Sequence, residues 1–102
     1  INLTSHGQLP VAILSDAGFD ATTIDPTTVR FGDPGLPGRV APVKSRLEDT
    51  DGDGQVDRVV FFSIPEITAH GALNDASVSA QLTGQTTSHL PFVGEDSVVI
   101  LK

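Results

Sequence analysis

The chain has 102 residues, enough for one domain and one core, and its 38% hydrophobic content with a mean hydropathy of +0.05 is that of a chain that folds. There is no cysteine, which excludes disulfides, thiol catalysis and cysteine-ligated zinc or iron–sulfur sites, and no apolar run of about 18 residues, which excludes a transmembrane helix. The net charge of −7, the lack of any basic stripe and five Phe as the only aromatics weigh against nucleic acid as a partner. With Ile1 first and no methionine, the sequence reads as a fragment or processed piece of a longer chain.

The pattern is β throughout. Leu9 to Ser15 is a short apolar run bounded by Gly7 before it and Asp16-Ala17-Gly18 after it, as expected of a buried strand. Phe19 to Pro26 is a connection, in which Asp20 can cap one helical turn over Ala21 to Ile24 before Pro26 stops it. Strand composition resumes from Thr28 to Phe31, and Gly32 to Gly38 is a Gly/Pro loop. From Val43 to Glu48 the residues alternate, with Lys44, Arg46 and Glu48 on the exposed face. Arg58 to Ile64 is apolar on both faces, the mark of a central strand, and its consecutive Phe61 and Phe62 must face opposite sides. A half-buried strand spans Ser77 to Thr83, Gly94-Glu95-Asp96 reads as a turn, and Ser97 to Leu101 closes the chain as a last strand. No segment sustains a helical period, and Glu66 falls in a turn after Pro65. About seven short strands predict an all-β fold, an Ig-like β-sandwich, with a small β-barrel as the alternative. No repeat or linker divides residues 1–102, so one domain is expected.

The acids are concentrated in one place. Glu48, Asp49, Asp51, Asp53 and Asp57 lie within ten residues that contain no base, and they carry −5 of the −7. Asp49, Asp51 and Asp53 occupy positions 1, 3 and 5 of a loop, Gly54 at position 6 permits the sharp turn, Gln55 offers its backbone carbonyl and Asp57 a further carboxylate. Hard oxygen ligands in this number suit Ca2+, which takes six to eight of them at about 2.3–2.6 Å. Val56 is expected to anchor the loop to the core. An EF-hand needs flanking helices and a glutamate at position 12, whereas Val60 stands there and both flanks are strands. The prediction is therefore a calcium-binding hairpin loop. The alternative is a bare Asp/Gly turn, in which the packed carboxylates would repel one another. The loop resembles the calcium loops in the propeller blades of integrin alpha chains, although their repeat length and blade architecture are absent.

No other constellation carries chemistry. His6, His70 and His89 show no metal-ligand spacing, no G-x-S-x-G elbow surrounds any serine, and Glu66 and Glu95 are the only glutamates outside the loop region. A non-enzyme is expected, with most of the phenylalanines in the core. The PVAIL strand at 10–14, the FD…IDPTTVRFG turn and strand, and the DxDGDGxxD loop together resemble a β-sandwich module of secreted, multidomain bacterial proteins. That resemblance covers nearly the whole chain. It implies an extracellular, calcium-binding, non-catalytic accessory domain, whose partners are neighbouring domains of its parent chain and a polysaccharide or cell surface. The alternative is a carbohydrate-binding module attached to a polysaccharide-degrading enzyme, a reading weakened by the absence of Trp and Tyr as sugar platforms.

Overall fold

The computed structural model describes residues 1–15, 18–50 and 52–97. It is mostly β, with six strands and one short helix among those residues: β1 (Gln8–Ile13), β2 (Ile24–Gly32), β3 (Lys44–Glu48), β4 (Asp57–Ser63), α1 (Ile64–Ala69), β5 (Ser79–Thr86) and β6 (Pro91–Ser97). A 3₁₀ turn at Ala21–Thr23 precedes β2. Two three-stranded antiparallel sheets result, in the orders β1-β4-β3 and β2-β5-β6.

Proline explains much of this order. Pro10, Pro26 and Pro91 lie in β1, β2 and β6, each at the edge of its sheet, where a missing N–H costs no ladder bond. The central strands β4 and β5 have none. In β2 the pairing with β5 also shifts register between Asp25 and Arg30, on either side of the TT that follows Pro26. Residues 58–63 of the apolar run form the centre of their sheet as predicted, with Val60 and Phe62 fully buried, while Ile64 opens α1. Phe62 stacks on Phe31 of β2 with ring centroids 4.8 Å apart, so the two sheets share one core. Phe61 points the other way, half-buried beneath Lys44 Nζ at 4.7 Å and Arg46 Cζ at 5.1 Å from its ring centre.

Two expectations are corrected. Residues 64–69 form a helix where the sequence suggests only a turn. Ser63 caps it by accepting from the Glu66 N–H, Pro65 sits where helices tolerate proline, and Ile64 and Ile67, three residues apart, are both buried. Under two turns long, it shows no sustained period. Gly94, Glu95 and Asp96 belong to β6 and not to a turn, with Leu82↔Gly94 and Gly84↔Phe92 among its pairs with β5. Six strands stand among the described residues where about seven were expected, and residues 98–101 of the predicted last strand lie outside those residues. Gly84 is required by this pairing, because a Cβ there would come 2.8 Å from two ring carbons of Phe92.

The edge strands β1 and β6 border an open apolar groove of about 650 Å³, lined in part by Leu9, Val11, Ile13, Phe31, Leu82 and Phe92. No helix among the described residues is long and apolar enough to cross a membrane.

Candidate metal centre

Strands β3 and β4 pair up to Glu48↔Asp57, so residues 49–56 form the connection of a hairpin. Its backbone is shaped by its own aspartates. Asp49 Oδ1 accepts from the Gly52 N–H at 2.9 Å, and its Oδ2 accepts from the Gly54 N–H at 2.9 Å. Asp53 Oδ1 accepts from the Gln55 N–H at 2.8 Å. Gly52 and Gly54 both take positive φ, +72° and +85°, the left-handed conformation that a side chain disfavours. The two glycines let the chain turn back and present both N–H groups to the one carboxylate of Asp49.

The loop brings three of the predicted ligands together. One carboxylate oxygen from each of Asp49, Asp53 and Asp57 lies within 4.8 Å of the others, an acidic triad able to hold a metal ion. Asp49 and Asp53 are exposed, while Asp57 is fully buried. Gln55 is exposed, and Asp51 lies outside the described residues. All donors in the triad are hard carboxylate oxygens, which favours an alkaline-earth ion over a soft one.

Asp57 is the best-held member. Its Oδ1 accepts from the Ser15 N–H at 2.7 Å, and its Oδ2 accepts from the Thr50 N–H at 3.1 Å and the Thr50 hydroxyl at 3.0 Å. Val56 does not anchor the loop: its side chain is 45% exposed, and the anchor is the neighbouring buried carboxylate. The first four residues of β4, Asp57 to Val60, are all buried, and Val56 lies just before them, outside the ladder.

Two residues important to this site escape sequence reasoning. Thr50 sits at a loop position that carries no expected ligand, and its hydroxyl gives no signal apart from its place beside Asp49. Ser15 lies 42 residues from Asp57 and belongs to no motif; only the pairing of β1 with β4 brings it there. The adjoining 3₁₀ turn is held by Arg58, whose guanidinium donates to the carbonyls of Ala21 and Thr22 and to the Ser45 hydroxyl, at 3.1, 3.2 and 2.7 Å. Burial pushes the pKa of Arg58 down from its ordinary value. Asp20 caps the turn as predicted, and hydrogen bonds from the hydroxyl and then the N–H of Thr22 hold its pKa below the ordinary aspartate value. His6, His70 and His89 contribute to no metal-ligating group among the described residues.

No family model, no curated protein and no solved structure matches this chain.

Proposed function

We propose that this chain is a non-catalytic, calcium-stabilised structural or accessory module of an exported multidomain protein. Its two sheets face one another as an Ig-like β-sandwich, and its β3–β4 loop holds one Ca2+ through Asp49, Asp51, Asp53, the Gln55 carbonyl and Asp57. The observation that carries the reading is the convergence of the Asp49, Asp53 and Asp57 oxygens within 4.8 Å on a glycine-turned loop. Three carboxylates at that separation repel one another without a cation and are drawn together by one. The stacking of Phe31 on Phe62 supports the sandwich arrangement. Export and the role beside neighbouring domains rest on the resemblance described above.

The ion acts through mass action. It binds the folded hairpin and not the open chain, so a hundredfold excess of calcium over Kd stabilises the fold by about 2.7 kcal/mol. At roughly 4–8 °C per kcal/mol for a domain of this length, chelation lowers the melting temperature by about 10–20 °C. Isothermal titration with calcium tests the reading, with a Kd of about 10⁻⁴–10⁻³ M expected of an extracellular module. Asp49→Ala abolishes the heat. Absence of heat in the wild type, together with melting curves that superimpose with and without chelator, overturns it.

A further inference from the structure

The N–H and the hydroxyl of Ser15 are both engaged at the floor of the candidate site. Its N–H donates to Asp57 Oδ1 at 2.7 Å, its hydroxyl donates to the Val56 carbonyl at 2.7 Å, and its Oγ accepts from the Ala21 N–H at 2.8 Å. One buried side chain thus grips the peptide that leads into Asp57, while its own main chain grips the Asp57 carboxylate. The same oxygen fixes the start of the Ala21–Thr23 turn. Ser15, Ala21 and Asp57 are all buried, so no water replaces a lost partner cheaply.

We propose that Ser15 is a positioning residue for Asp57 and hence for the cation of the 49–57 loop, and that through it cation occupancy and the order of the Ala21–Thr23 turn are coupled. The proposal rests on the cation reading above. The carboxylate is pinned from two sides, by Ser15 on Oδ1 and by Thr50 on Oδ2, so it cannot rotate about its own axis without breaking a bond. A ligand held in one orientation loses no freedom when an ion arrives, and removal of such an outer partner typically weakens metal binding about 10–100-fold. Linkage makes the effect mutual: an ion that fixes Asp57 also fixes Ser15, and with it the Ala21 N–H.

The variant Ser15→Ala keeps the main-chain bond to Asp57 but removes both bonds of the hydroxyl. Calcium titrations of wild type, Ser15→Ala and Ser15→Thr are compared below the chelator melting point of each. The expected result is a Kd weakened about tenfold in Ser15→Ala, the lower end of the range because the main-chain bond to Asp57 survives, and restored to within about threefold of wild type in Ser15→Thr, which keeps the hydroxyl. In the wild type, amide hydrogen exchange at Ala21 slows by more than at buried amides remote from the loop, such as Leu82, when calcium is added, a readout that needs no variant. A folded Ser15→Ala protein that binds calcium as tightly as wild type, or an Ala21 amide slowed no more than Leu82 in a wild type that binds it, overturns the proposal and leaves the cation reading standing. A wild type that takes up no calcium overturns both. If Ser15→Ala does not fold, the exchange measurement alone decides.

Discussion

Asp57 is a fully buried carboxylate that at least three donors hold, so Asp57→Asn tests whether those bonds support the fold as well as the site. The amide has the same shape but only one acceptor oxygen. With its NH2 toward Ser15, it opposes a buried N–H at 2.7 Å; with its NH2 toward Thr50, it opposes another N–H, although the Thr50 hydroxyl can turn to accept. Either orientation leaves at least one donor unsatisfied, at about 1–3 kcal/mol. The bonds that survive are made to a neutral oxygen and weaken by up to about 1 kcal/mol each. A loss of about 3 kcal/mol follows, or roughly 12–24 °C in melting temperature for a domain of this length. The assay is thermal unfolding followed by circular dichroism in excess chelator, so that lost ion binding cannot contribute. Asp49→Asn, whose carboxylate is exposed, costs at most about 1 kcal/mol under the same conditions. Equal melting temperatures for Asp57→Asn and wild type in chelator would refute the reasoning.

Gly84→Ala drives a methyl into the Phe92 ring, which is already packed on Phe19 at 5.6 Å, and should cost about 1–3 kcal/mol in a urea titration; an unchanged midpoint would show that β6 yields freely. Acid should destabilise the fold through Asp20, Asp25 and Asp33. Hydrogen bonds hold all three below the ordinary aspartate value, chiefly from the Thr22 hydroxyl, the Thr27 hydroxyl and the Gly35 N–H respectively. A lowered folded-state pKa means stability that is fully present above the unfolded value of about 3.9 and lost as the pH falls through the lower folded values. Melting temperatures measured from pH 5 downward should therefore decline most steeply below about pH 4, and Asp25→Asn should flatten part of that decline.

The sequence by itself determined the strands whose signals are local. The apolar run RVVFFS marks a central strand, the opposed Phe61 and Phe62 follow from strand geometry, and Asp20 announces its turn. The aspartate loop was equally legible, because the spacing of Asp49, Asp53 and Gly54 encodes its own curvature within nine residues. Three things were decided only by the tertiary structure. Helix α1 is too short to display a period and depends on burying Ile64 and Ile67 under the sheets. In β6, Gly94, Glu95 and Asp96 have turn composition, but pairing with β5 and the contact of Phe92 with Phe19 outweigh that local preference. The support beneath the candidate site was invisible for the same reason. Ser15 and Asp57 meet only because β1 and β4 align antiparallel, and a hydrogen bond across 42 residues leaves no mark on the composition around either end.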